Sequence, residues 1–449
     1  MRAVASAASA LNRWTSRWVP GSFTIAVTLT FIVFIAAAAL EMSGGKAHPL
    51  GALLKCAVAW GDGVWTLLEF GMQMCLIIFT GYIIAVSPPV RRFLSWILSL
   101  PRSPSGVILL VALAAMVLSW VNWGLGLVTG AMLVKIASAS RRNVDFRLLT
   151  AAAYLGLGTT WHAGLSGSVP LLIATPKNFL ADRIGVIPVT ETIFAPYNLV
   201  LVAVIIGVTL LVVRLMVPSP GETVSAAPDL EEEFREPLRP GRPTPAQRAE
   251  FSPLPNIFVA LLGAACLVYT FCTTGAVLTL NTVNLAFLSL GILLHRNPAS
   301  LVKAAEQGSR MLHGIVLQFP LYAGIFGMIK GTGLIDVISR AFISVSSTTT
   351  YPLVVTWYSA FLNTFVPSGG SKWAIEAPYI IKAASHLSVP VQKVAMAYAY
   401  GDMWTNLIQP FWAIPILAAA KLEFKDILGY EIVVAIAYGT LVSAAMIVI

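Results

Sequence analysis

The chain has 449 residues, of which 57% are hydrophobic and only 11% charged, with a formal net charge of +9. Soluble domains carry about 25% charged residues, so too few remain here to cover a water-facing globule of this length. The basic excess is scattered over short loops rather than gathered on one face. That excludes a nucleic-acid interface and fits an all-α, polytopic membrane protein.

Arg2, Arg13 and Arg17 precede an apolar run from Phe23 to Leu40. It is longer than the roughly 7–15 residues of a signal-peptide core and reads as a retained first span. Further spans of about 20 residues are predicted near 64–86, 147–175, 193–217, 254–272, 279–295, 309–330, 391–420 and 429–449. Two other apolar stretches, 105–138 and 351–384, are too short for two crossings and too long for one. Polar, Gly-rich sequence breaks each: Ser119-Trp-Val-Asn122-Trp-Gly124 in the first, Asn363-Thr-Phe-Val-Pro367-Ser368-Gly369-Gly-Ser371 in the second.

Arg91, Arg92 and Arg102 precede the first stretch, and Lys135, Arg141, Arg142 and Arg147 follow it. A re-entrant hairpin returns to its own side and keeps both groups in the cytoplasm. With both stretches drawn as hairpins, nine spans run from a cytoplasmic N-terminus to a C-terminus outside. The larger share of the 29 Lys and Arg then falls inside, as the positive-inside rule requires. Non-helical backbone at membrane depth is tolerated only where it is buried in protein or lines a wet cavity, so the tips mark a site. Residues 218–252 hold seven of the 27 prolines and seven of the 20 acidic residues. Such a composition buries too little surface to offset its ordering entropy and reads as a flexible cytoplasmic linker.

That linker separates two similar units, 1–217 and 253–449, the second preceded by a connecting span. Gln73-Met-Cys-Leu76 is echoed by Gln318-Phe-Pro-Leu321, Asn122 by Asn363, and Gly158-Thr-Thr-Trp161 by Gly401-Asp-Met-Trp404, in the same order and at nearly constant offset. The spans carrying Gln73 and Gln318 run in opposite directions, so the units read as inverted repeats. Inverted repeats with interrupted helices are the signature of secondary transporters, whose site lies where the copies meet.

After each hairpin comes an interrupted span: Thr159-Thr160-Trp161-His162-Ala-Gly164-Leu-Ser166-Gly167-Ser168-Val-Pro170, then Gly401-Asp402-Met-Trp404-Thr405-Asn406-Leu-Ile-Gln409-Pro410. Gly and Pro there break the hydrogen-bond ladder. Freed N–H groups suit a carboxylate, and freed carbonyls suit a small cation. The candidate substrate-binding residues are therefore Asn122, His162, Ser166, Ser168, Asn363, Ser368, Ser371, Thr405 and Asn406. Sodium, if used, is placed at the tips, at Asn122, Gly124, Asn363 and Gly369. Asp402, Lys372 and Glu376 are candidates for coupling or gating, since intramembrane charges are functional by default. Lys372 and Glu376 are also spaced to neutralise each other at i and i+4. His162, the one mid-span histidine, either serves a carboxylate or proton or is a neutral residue bonded to a carbonyl. Trp120, Trp123, Trp161, Trp373 and Trp404 crowd the breaks and could wall an apolar pocket or anchor at the interface. Gly164-Leu-Ser166-Gly167 also fits an intramembrane serine hydrolase, but such an enzyme needs a histidine base from another span and no inverted copy.

The runs Ser119–Gly130, Trp161–Pro170, Val366–Gly370 and Gly401–Trp412 closely resemble the AtoE-type short-chain fatty acid transporters, over nearly the whole chain outside the linker. That family is similar to an ion-transporter superfamily that includes dicarboxylate–sodium carriers. The resemblance implies a short monocarboxylate substrate such as acetoacetate or butyrate, with a dicarboxylate or ion carrier on the same scaffold as the alternative. It also implies a scaffold region, a mobile transport region, elevator-type motion and a homodimer. The expectation is a non-enzymatic transporter of the cell inner membrane, without cofactor, coupled to sodium or protons.

Overall fold

The computed structural model describes residues 22–43, 48–140, 143–176, 178–218, 223–225, 237, 241, 243–274, 278–310, 312–364, 369–409 and 412–448. Their regular structure is all helical, without strands among the described residues. The first half comprises α1 (Ser22–Ser43), α2 (Pro49–Val64), α3 (Leu68–Ala85), α4 (Pro88–Ser99), α5 (Pro104–Val121), α6 (Trp123–Ser140), α7 (Phe146–Thr159), α8 (Ser168–Ala174), α9 (Ala181–Ile184) and α10 (Pro196–Met216). After α11 (Pro245–Glu250), the second comprises α12 (Leu254–Thr274), α13 (Leu280–Leu294), α14 (Pro298–Ser309), α15 (His313–Gly331), α16 (Leu334–Ser344), α17 (Tyr351–Asn363), α18 (Gly369–His386), α19 (Val391–Asn406), α20 (Ile414–Ala420) and α21 (Phe424–Val448). Among the described residues, seven helices are long and apolar enough to cross a membrane.

Helix starts follow local chemistry. Proline stands in the first turn of α2, α4, α5, α10, α14 and α17, where its missing N–H costs nothing. Ser103 caps α5 by accepting from Gly106 N, and Asp145 caps α7 by accepting from Leu148 N.

The stretch expected near 64–86 is longer than its apolar run. Helix α2 precedes α3, and the break at residues 65–67 joins them. Gly51, Lys55 and Gly61-Asp62-Gly63 hide α2 from a hydropathy reading, yet Gly63 is what lets it pack closely. A Cβ on Gly63 would fall 2.8 Å from the Cα of Gly327 on α15. Leu67 clusters with Ala323, and Phe70 meets Phe319 at 5.7 Å between centroids. Positions rise along α2 and α3 as they fall along α15, so the two paths are antiparallel.

Helices α5 and α6 meet at Asn122, and α17 and α18 flank residues 364–368. Each arm of the first pair has 18 residues, about 27 Å of helix. The spans expected at 147–175 and 391–420 are both interrupted, the first between α7 and α8 and the second between α19 and α20. Amphipathic helices α4 and α16, which the search for apolar runs did not pick out, lead into the two pairs. Within the stretch read as a linker, α11 is helical, and Val224 exchanges bonds with the start of α7: Phe146 N donates to Val224 O (2.8 Å), and Val224 N to Asp145 Oδ2 (2.9 Å).

Candidate functional site

The two interruptions and the start of α18 converge on one buried polar cluster. Gly167 leads the chain from the interruption into α8, which places Ser168 beside His162. Ser168 Oγ lies 3.0 Å from His162 Nε2, and Val169 N donates to the same nitrogen at 3.2 Å. A backbone N–H can only donate, so Nε2 is an acceptor and the ring proton sits on Nδ1. That Nδ1–H donates to Asp402 Oδ2 at 3.0 Å. His162 is therefore a neutral ring that fixes Asp402, and its partner is a carboxylate rather than the carbonyl considered from sequence. Trp161 stacks on it with centroids 4.2 Å apart.

The other oxygen of Asp402, Oδ1, lies 2.9 Å from Lys372 Nζ, with both side chains 1% exposed. Lys372 also donates to the carbonyl of Ser359 at 3.0 Å, and its ammonium lies 5.3 Å from the Tyr398 ring centroid. Glu376, one turn on, accepts from Tyr398 OH at 2.5 Å. The i,i+4 spacing of Lys372 and Glu376 thus does not make them each other's partners. Each reaches across to α17 or α19, because both face the interior of the helix packing.

Asn363 fastens the end of α17 to α19. Its Nδ2 donates to Asp402 O (2.8 Å), Asn406 Oδ1 (2.8 Å) and, more weakly, Thr405 Oγ1 (3.2 Å). Its Oδ1 has no partner among the described residues. Asn406 in turn donates to Leu157 O at 3.2 Å, so this knot links the two halves.

The first tip forms a separate cluster. Asn122 Oδ1 accepts from Leu125 N (2.9 Å), and its Nδ2 donates to Ile77 O in mid-α3 (3.3 Å). Ser166 Oγ accepts from Trp123 N at 2.9 Å, and Leu165 N donates to Trp120 O at 2.7 Å. Hairpin tip and interruption are thus stitched together at one depth. Gly124 packs on Ile78, where a Cβ would fall 3.1 Å from its Cα. Gly369 abuts the central pair: a Cβ there would fall 2.7 Å from Asp402 Oδ2. Ser371 is buried on α18. Ser368 lies outside the described residues.

The cluster opens on a cavity of about 40 Å³ lined by Trp123, Trp161, Trp412, Ser168, Gly370 and Asp402, among others. Trp123 meets Trp412 at 5.1 Å and Trp161 at 6.0 Å, forming an aromatic wall opposite the charges. Among the described residues, no three His, Cys, Asp or Glu converge as a metal site.

Sequence reasoning missed Ser359 and Tyr398, whose role shows only once α17 and α19 are placed beside α18. It also missed Asn198, which donates to Ala163 O (3.1 Å) and Ile193 O (2.7 Å) and accepts from Tyr400 OH. Gln73 bonds Asn281 at 2.8 Å and serves packing of α3 on α13.

The sequence model of the short chain fatty acid transporter family matches residues 3–449. A relative in Escherichia coli strain K12, provisionally named a short-chain fatty acid transporter, is 40% identical over 423 residues, 94% of each chain. A Haemophilus influenzae relative with the same name is 38% identical over 430 residues, again 94% of each. The crystal structure of the YdaH transporter of Alcanivorax borkumensis is similar in fold, with TM-score 0.59 at 14% identity, over 95% of this chain and 98% of that one. The chain belongs to the short-chain fatty acid transporter family.

Proposed function

We propose that the protein is a secondary transporter that carries short monocarboxylates across the inner membrane by alternating access. One observation carries this reading: Ser168 and Asp402, tied to His162 and Lys372 behind them, line an aromatic-walled cavity where both interruptions meet the start of α18. The first N–H groups of a helix have no intrahelical partner and attract anions. Those of Gly369 and Gly370, with Ser168 Oγ and the Lys372 ammonium, form the carboxylate side. Trp123, Trp161 and Trp412 take the alkyl chain.

The antiparallel course of α3 and α15 supports two inverted units, with α5–α6 and α17–α18 as re-entrant hairpins. Fastening of the Asn122 tip to mid-α3 supports re-entry, because a full crossing would put that tip at a membrane surface. The N-terminus is cytoplasmic and the C-terminus outside. The carrier works as a dimer.

Counterflow in proteoliposomes tests the reading. Labelled butyrate and acetoacetate are expected to exchange, and succinate is not. Exchange of succinate alone would favour a dicarboxylate carrier on the same scaffold, and exchange of none would overturn transport.

A second reading rests on the Ser168–His162–Asp402 chain, which has the order of a hydrolase triad. Here the serine is Ser168, since Ser166 is held by Trp123 N. Val169 N–H competes for the lone pair a general base needs, which favours the binding role. A fluorophosphonate probe is expected to leave the protein unlabelled, and labelling lost in Ser168→Ala would reverse the choice.

A further inference from the structure

We infer that Lys372 supplies, from the chain itself, the cation that an ion-coupled carrier takes from solution, so that this protein moves its substrate without sodium. The inference rests on the transport reading above and names its coupling chemistry. The ammonium lies 2.9 Å from Asp402 Oδ1, 3.0 Å from the Ser359 carbonyl and 3.5 Å from Ser359 Oγ. A carboxylate, a carbonyl and a hydroxyl converging on one point form the all-oxygen set that hard cations take. Here a tethered ammonium occupies its centre.

Charge leads to the same conclusion. The Lys372 ammonium stands 2.9 Å from Asp402 Oδ1 and His162 donates to Oδ2, so the charge of this carboxylate is already matched from within the chain. At the first tip, both ends of the Asn122 amide are bonded and Gly124 is packed on Ile78. Of the tip positions expected to hold sodium, Asn363 offers one neutral Oδ1 without a partner among the described residues. The groups around the ammonium are Asp402, Ser359, the Tyr398 ring and, one turn away, Glu376, which is held by Tyr398.

The test is counterflow of labelled butyrate by the full-length protein in proteoliposomes, with sodium or N-methyl-D-glucamine on both sides. Two coupled ligands change each other's affinity by roughly 5–150-fold. A wild-type rate that falls less than about fivefold without sodium therefore supports the inference, and a larger fall overturns it. Lys372→Ala is expected to lose counterflow in N-methyl-D-glucamine and regain it with sodium or methylammonium. Equal rates for that variant in all three buffers would show that no cation is needed there, and would also overturn it. Absence of wild-type counterflow in every buffer, with protein inserted, would count against transport itself rather than against the identity of the cation.

Discussion

In the first hairpin, Ser119 on α5 faces Gly126 on α6 so closely that a Cβ on Gly126 would fall 2.6 Å from the Ser119 nitrogen. In the second, a serine one turn before the tip asparagine, Ser359 on α17, faces Lys372 on α18. In each case a glycine of a following helix packs on the serine, Gly156 on Ser119 and Gly401 on Ser359. Glycine lets the arms of the first hairpin close on each other, whereas the arms of the second part around a lysine and touch far less. The matching position of the interrupted span differs in the same sense. Thr159 bonds its own helix at Leu155 O (2.8 Å), while Asp402 pairs with Lys372 of α18 and accepts from His162 of the other half. Both halves thus contribute to one charged site. The first half acts mainly as its frame and lends it Trp123, Trp161, Ser168 and His162.

The largest break in this comparison is expected from Asp402→Asn. Removing the anion leaves a buried ammonium without its partner, which destabilises by about 3–5 kcal/mol. Uptake should vanish, and thermal unfolding of the purified protein should fall accordingly. The matched change in the first half, Thr159→Val, removes one local bond worth about 1 kcal/mol. Equal losses in the two variants would mean that the halves are energetically alike and the charge asymmetry is incidental.

Next in size are the two tip asparagines. Asn363→Ala unties α17 from α19, and Asn122→Ala unties the first tip from α3, each leaving buried partners unsatisfied at about 1–3 kcal/mol. Both are expected to abolish uptake while protein remains in the membrane. Wild-type uptake in both variants would remove the tips from the mechanism. Gly126→Ala should follow, because its Cβ has no room against Ser119. Overpacking of this kind costs about 1–3 kcal/mol, and a shift in unfolding temperature with substrate affinity unchanged would mark it as framework.

Much of this organisation is legible in the sequence, and the reason is the membrane. Polar breaks in apolar runs stand out against lipid, so Asn122, His162, Asn363 and Asp402 announce themselves. What stays hidden is whatever depends on the facing helix. Lys372 and Glu376 are spaced as a self-neutralising pair, yet each finds a partner on another helix, and no pattern within one segment could reveal that. Ser359 and Tyr398 read as ordinary helix residues until α17 and α19 are set against α18. Helix α2 escaped for the opposite reason: its Gly, Lys and Asp look unlike a span, while the glycine surface is what lets α15 approach.

The smallest effect is expected at the other lysine of α18. Lys382 pairs with Asp336 of α16, with side chains 40% and 52% exposed, against 1% for the Lys372–Asp402 pair. The bond from Lys382 holds the Asp336 carboxyl below its ordinary pKa. Its contribution is therefore present above the unfolded carboxylate value and is lost as pH falls through the lower folded one. Exposed pairs contribute about 0–1 kcal/mol and are screened by salt. Asp336→Asn should thus shift unfolding slightly in low salt and not in high salt, whereas the loss in Asp402→Asn should be the same in both. A salt-independent loss in Asp336→Asn would show that the α16 contact is shielded from solvent, and that α18 is held at both ends rather than at its buried start alone.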